Sequence, residues 1–568
     1  MTSNSSLELV TLSSSGRSAR TRSARSKKEK EPTGRMGVFL CHCGGSIQGR
    51  LDIESIEKRT SSLASVEKCQ TLKFSCSREG HESISRTIIE ADLDRFVIAG
   101  CSPKVVEDHF RAIAMGAGIN PYMVEIANIR EQCSLVHGYD EATEKAAKLV
   151  EAAVAKCSLL VPAPYERIKA PSKEILVYGN GMSAIVATDE LISEGIRIHF
   201  ISPFPPERLT FNYHGINPFR LEDMRNKILE SQLVNIHPQA SVEAFQGSPG
   251  EFRALIRSPE GMEEISFGAA IIAWEANEEP PSIVNGYVLI TQGDLETFLD
   301  RGVIPERTIM ITLDEGKKPS SGRITHKEAI QNALKIKEAM PEAEITIIAR
   351  DILAFGFLEL DYIKAQAAGV RFVRTDDQPL VDPDRPGKVT VYDMHLGDKI
   401  SLEADVVVVN TVTRPLATPR IAKVFGTPVD QEGFFIPTQV KLKPAASIRE
   451  GVFLCGSGIS NKLPSEVVLE ARSAASRAVA MLSNWIQRGG EVADIDPEKC
   501  SACLTCVRSC PYTAPFIGES GKAEVDVPKC QGCGICVAIC PSKAIQLFCF
   551  TDDQLSSQTK VLAGGAIR

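Results

Sequence analysis

The strings "CSACLTCVRSCP" (residues 500–511) and "CQGCGICVAICP" (530–541) set the strongest constraint on how this 568-residue chain can fold. Cysteines at CxxCxxC spacing project their thiolates from one tight loop, so three of them can grip one iron–sulfur cube while the fourth ligand comes from elsewhere. Where two such runs share a domain, the last cysteine of each, the one before proline, crosses to the other cluster. That rule assigns Cys500, Cys503, Cys506 and Cys540 to one centre, and Cys530, Cys533, Cys536 and Cys510 to the other. Pro511 and Pro541 turn the chain where it leaves each loop. Structural zinc or disulfides would not call for two complete copies with proline in register. The reading is therefore two 4Fe–4S clusters. Cys549, in "LFCFT", falls outside the pattern and reads as a buried apolar cysteine.

Composition bounds the rest. The chain is long enough for about three or four domains. Its net charge of -8 lacks the basic excess that nucleic-acid binding wants, and no apolar run approaches the roughly 20 residues of a membrane span. Seventeen cysteines, eight of them in the cluster runs, without a secretory signal pattern, point to a reducing cytoplasm. Residues 1–35, rich in serine and arginine, cannot pack and read as a disordered tail; a second polar tail is expected over 551–568.

Ordered sequence begins at "GVFLCHCGGSI", an apolar strand leading into Cys41 and Cys43. The same design recurs at "RFVIAGCSP", which delivers Cys101 to a turn; Cys76 and Cys133 lie in "KFSCSREG" and "IREQCSLVH". In an open α/β sheet, ligands gather outside the carboxyl ends of the strands, so these thiols could share one crevice. Their spacing alone serves five structural cysteines equally well, and His42, His81 and His137 nearby read as satisfied polar residues. Cys69 and Cys157 match no motif and read as packing residues.

Residues 172–488 have the layout of a flavoprotein with two dinucleotide-binding folds. In "EILVYGNGMSAIVATDELISEG" a strand ends at Gly179, the turn offers Gly179 and Gly181, and a helix runs from about Ser183 to Glu194. That is the setting in which backbone N–H groups hold a pyrophosphate. The next strand, "IRIHFIS", ends in Ser202 where a ribose-binding carboxylate is usual, with no acid before Glu207. Thr411 stands in "VVVVNTVTRP". A second doubly wound unit is expected over about 286–395, and since "EGKKPSSG" carries no GxGxxG it predicts no nicotinamide site.

The segments "GVFLCHCGG", "AGCSPKVVEDHFR", "GINPYMVEIANIREQCSLVH" and "EKAAKLVEAAV", followed by "LITQGDLETFL", "AEITIIARDILAFG", "GVRFVR", "GVFLCGSG" and the double cluster run, resemble the A-type subunit of heterodisulfide reductase. Related subunits serve quinone-interacting oxidoreductases and class II benzoyl-CoA reductase. The resemblance implies an α/β chain in parts: an N-terminal iron–sulfur domain (36–165), a thioredoxin-reductase-like FAD domain (172–488) and a two-cluster ferredoxin (489–550). It implies a third 4Fe–4S cluster held by four of Cys41, Cys43, Cys76, Cys101 and Cys133, with Cys43 preferred over Cys41, and FAD held by Gly179, Asn180, Gly181, Met182, Ser183, Ser202 and Gly456. It also implies a cytoplasmic electron-transfer subunit, homodimeric within a larger complex, relaying or bifurcating electrons. Its partners would be heterodisulfide reductase B/C-like subunits, a hydrogenase- or dehydrogenase-linked donor, and ferredoxin. The substrate would be reduced in a partner. The rival reading is a flavin-free scaffold and cluster wire. An independent NAD-dependent reductase is disfavoured by the missing second fingerprint.

Overall fold

Runs such as "GVFLC", "ILVYG", "AAIIA" and "VVVV" are apolar on both faces, which suits strands of a parallel sheet covered on two sides. In the computed structural model each becomes such a strand. The structure describes residues 34–205, 208, 218–279, 289–313, 322–382, 384–385 and 387–564. These fall into two compact units, one of residues 169–484 and one formed by 34–168 together with 485–564.

The unit 169–484 carries two parallel sheets of five strands. The first runs in the order Val452–Cys455, Ala269–Ala273, Ile175–Gly179, Ile198–Ile201, Val234–His237. Helices Met182–Ser193 and Pro464–Ser483 pack together beside it. An antiparallel meander, Ser241–Ser248, Glu251–Ser258 and Gly261–Phe267, alternates buried and open positions along its middle strand, as a half-covered sheet should. Its aromatic side chains, Phe245, Phe252 and Phe267, join Tyr178, Trp274 and Phe425 in one core. The second sheet takes Leu289–Thr291, Val406–Val409, Arg307–Ile311, Glu344–Ala349 and Arg371–Arg374. The expected limit of 395 is too early, because Asp398–Glu403 and Val406–Val409 complete this part's two sheets. Most of "EGKKPSSG", and Glu207, lie outside the described residues.

In the other unit, the first half is a four-stranded parallel sheet ordered Val66–Leu72, Met36–Cys41, Arg95–Gly100, Val124–Asn128. The second half is the cluster module, built on two short antiparallel ladders, Ala493–Ile495 with Ile545–Leu547 and Pro515–Ile517 with Ala523–Val525. The halves are locked together. Arg111 pairs with Glu491 and lies over the Tyr122 ring at 4.5 Å. The Tyr122 hydroxyl donates to the Gly489 carbonyl (3.2 Å) and accepts from Gln487 (2.8 Å).

Three sequence-derived boundaries change. Strand Trp485–Gly489 pairs with Tyr165–Lys169, so the central unit ends before 488 and the last unit begins before 489. Residues 551–568 are not simply a polar tail: Asp552–Leu562 is a helix packed on helix Tyr139–Ser158. Its capping box joins Thr551 and Gln554, Val561 is buried with Ala152 and Ala155, and Gln554 donates to the Leu159 carbonyl. Of the N-terminal tail, 1–33 lie outside the described residues, while Gly34 and Arg35 already bond Asp94 and Glu67.

Candidate cluster and dinucleotide sites

The cluster module repeats its backbone as well as its cysteines. Ala502, Leu504 and Thr513 are left-handed in the first run, and Gly532, Gly534 and Lys543 hold the corresponding places in the second. Only glycine adopts that conformation freely, so Ala502 and Leu504 each carry a cost of about 1–2 kcal/mol that the fold must offset. The loops so shaped frame two separate cavities. One is lined by Cys500, Cys503, Cys506 and Cys540, with Ile495, Leu504, Ala523 and Ile545. The other is lined by Cys510, Cys530, Cys533 and Cys536, with Tyr512, Pro515, Val525, Ile535 and Leu547. Each cavity thus gathers three cysteines of one run and the pre-proline cysteine of the other. Backbone N–H groups already point at sulfur: Ala493 donates to Cys530 (3.4 Å) and Ala544 to Cys540 (3.3 Å). Among the described residues no three His, Cys, Asp or Glu side chains converge as they would on a single metal ion. Four thiols around an apolar space, with N–H donors aimed at them, fit a cluster. Cys549 is buried, with its thiol near the Tyr122 carbonyl, as a packing residue should be.

In the first half of the same unit, the four parallel strands each release a candidate cysteine at their carboxyl ends. Cys76 follows Val66–Leu72, Cys41 ends its strand and Cys43 follows it, Cys101 follows Arg95–Gly100, and Cys133 sits in the turn Arg130–Ser134 after Val124–Asn128. Cys43 and Cys101 are brought to 3.9 Å between sulfurs, and Cys43 holds a positive φ of 48°. Cys41 is buried and accepts from the Ser75 N–H (3.4 Å). Cys133 is buried and Cys76 exposed. Burial, and then the Cys43 sulfur beside it, pushes the Cys101 thiol up to about 12; burial pushes Cys133 up to about 11. Metal ligation at these thiols must therefore displace protons.

The dinucleotide fingerprint forms as expected in backbone and not in surroundings. Gly179, Ala273 and Cys455 end three neighbouring parallel strands in register. Gly179 is needed for packing: a Cβ there would meet the Ala273 carbonyl at 2.3 Å and Ala184 at 2.5 Å. Gly456, with φ of 101°, is closed off in the same way by the Trp274 carbonyl at 2.4 Å. Gly181 is extended and precedes helix Met182–Ser193, whose Met182 and Ser183 are buried. The residue that sequence reasoning missed is Glu275. Its carboxylate accepts from the Ser183 N–H (3.0 Å), the Ser457 N–H (2.8 Å) and the Ser457 hydroxyl (2.7 Å), and the residue is 4% exposed. Asn180 pairs with both backbone groups of Glu275. The neighbouring Gly456 N–H donates to Glu470, which Lys462 holds at 2.6 Å. Ser202 is buried and its hydroxyl accepts from the Phe204 N–H. As they stand, these residues do not fit a pyrophosphate, because a protein carboxylate already occupies the donors at the helix start. The only local signal was an acid ending a wholly apolar strand, "AAIIAWE".

Two parallel dinucleotide-type sheets, joined in one chain to a module with two four-thiol cavities, are the fold and site of an iron–sulfur oxidoreductase component. Residues 493–541 match the family described as 4Fe-4S dicluster domain. The chain is 28% identical to the first of two A-type iron–sulfur subunits of CoB–CoM heterodisulfide reductase from Methanopyrus kandleri, with 94% of this chain and 98% of that one covered. It is 27% identical to a protein of Archaeoglobus profundus that is named as like the same heterodisulfide reductase subunit, covering 94% and 99%. The solved thioredoxin reductase of T. acidophilum is 15% identical, covering 55% of this chain and 98% of that one with a TM-score of 0.35. Over nearly its whole length the chain is thus similar to A-type subunits of heterodisulfide reductase. No helix among the described residues is long and apolar enough to cross a membrane.

Proposed function

We propose that this chain is the electron-carrying subunit of a heterodisulfide reductase-like complex. It acts as a homodimer that passes electrons between a hydrogenase- or dehydrogenase-linked donor, or ferredoxin, and B/C-like partners that reduce the substrate. The observation that carries the reading is the pair of cavities, each lined by four cysteines drawn from both runs. When bound, a 4Fe–4S cluster accepts and releases one electron at a time. The chain's part is to hold two such groups side by side in apolar surroundings, with N–H donors on Cys530 and Cys540. The thiols at the strand ends of residues 36–165 would hold a third, with Cys43 and Cys101 as its nearest pair.

Two readings of the central unit came from the sequence, a flavin converter and a flavin-free scaffold that leaves the clusters as a wire. Glu275 favours the second. No bifurcating step is assigned. The test is Cys510→Ser in the full chain, with iron, sulfide and electron paramagnetic resonance measured anaerobically after dithionite. Loss of about four irons out of about twelve, with the signal of the Cys530 run altered, is the expected outcome. A change confined to the Cys500 run would overturn the crossed ligand set.

A further inference from the structure

We infer that Glu275 is a built-in anion that fills the pyrophosphate cradle of the first dinucleotide fold and thereby keeps nucleotides out. The inference deepens the flavin-free reading and rests on it. Three neighbouring strands end together at Gly179, Ala273 and Cys455, and in a doubly wound sheet the crevice beyond such ends is where a dinucleotide lies. A pyrophosphate would need the N–H groups that open the helix Met182–Ser193 and those of the loop after the third strand. Here the Ser183 and Ser457 N–H groups both point at the Glu275 carboxylate, which also takes the Ser457 hydroxyl. One side chain from the middle strand thus bridges the two loops that a bound phosphate would bridge.

The arrangement is fixed rather than casual. The Asn180 side chain pairs with the N–H and carbonyl of Glu275, so the backbone that carries the carboxylate is clamped to the turn between Gly179 and Gly181. Beside it, Glu470 takes the Gly456 N–H and is held by Lys462. Burial raises Glu470's pKa, and the nearby Glu275 adds to the rise. The crevice therefore already holds two carboxyl groups beside the Lys462 ammonium, and a dinucleotide would bring two further negative charges to them. Like charges in so buried a place repel strongly. An ordinary helix-stabilising acid would need only the helix N-terminus; this one also ties down the third strand's loop, as a ligand would.

The test uses the full chain purified anaerobically with its clusters. Wild type is titrated with FAD and with ADP, the latter probing the pyrophosphate cradle without the flavin ring, and the same titrations are run on Glu275→Ala. This substitution keeps the backbone pairing with Asn180. No saturable binding by wild type, and ADP affinity at least about 100-fold higher in Glu275→Ala, is expected, because two N–H donors to a charged group are released and a like charge is removed. Stoichiometric FAD on wild type would overturn both the flavin-free reading and this inference. A Glu275→Ala protein with native cluster content that still takes up no ADP or FAD would overturn the inference alone. Should Glu275→Ala fail to fold, Glu275→Ser replaces it, with the same two outcomes.

Discussion

Cys101 and Cys157 lie in the same parallel-sheet half, and their surroundings differ as those of a proposed ligand and a packing residue should. Cys101 sits at a strand's carboxyl end, half-buried, with Cys43 at 3.9 Å and the Arg130 guanidinium close enough for its charge to be felt by both sulfurs. Cys157 is fully buried on a helix, with the Phe96 carbonyl as its partner, and burial lifts its thiol far above the ordinary range. In the full chain, Cys101→Ser should lower iron by about four per chain, whereas Cys157→Ser should leave it unchanged; equal losses in both would remove the distinction. At this scale the sorting of the cysteines into two cavities was legible, since it follows from spacing within a dozen residues and the exchange of the two pre-proline cysteines. Glu275 was not, because its donors come from the loops after two other strands, and nothing local in "AAIIAWE" says where those loops will be.

Among elements, the strand Ile175–Gly179 was legible as an unbroken apolar run, and so, to within a residue of its start, was the helix after Gly181. Helix Asp552–Leu562 was overlooked because its composition is polar, although "TDDQ" is a capping-box pattern that announces a helix start. Its open side is mostly polar, though Leu555 and Leu562 are exposed too, while Val561 and Gln554 are buried. Lys156 of helix Tyr139–Ser158 lies 4.4 Å over the Phe550 ring just before it. Deleting 551–568 should destabilise this unit by at least about 1.5–3 kcal/mol, the burial of Val561 alone. The measurement is denaturant unfolding followed by cluster absorbance; a midpoint that does not move would make the helix an ornament.

Across the whole chain, residues 169–484 are an insertion within the other unit, whose two halves stand at opposite ends of the sequence. Domain order was legible in the motifs. The joining of first and last was not, because it depends on Arg111 with Glu491 and on Tyr122 with Gln487 and Gly489, pairs more than 360 residues apart. A chain stopped at 484 should therefore keep a folded central unit yet leave residues 34–168 with a bare surface at Tyr122 and the helix Tyr139–Ser158. Limited proteolysis should cut that half at least about tenfold faster than in the full chain, if the closing contacts are worth about 1.4 kcal/mol or more; equal protection would show that the half stands alone.

That joining also sets a clock on the ribosome. The strand-end thiols from Cys41 to Cys133 emerge early, but the surface that closes their half does not exist until the central unit and then the cluster runs have been made. At about 5–20 residues per second, the inserted stretch takes roughly 15–60 s to synthesise. Through that interval the first half waits without the partners of Tyr122 and of helix Tyr139–Ser158, and is correspondingly easier to open than it will be in the finished chain.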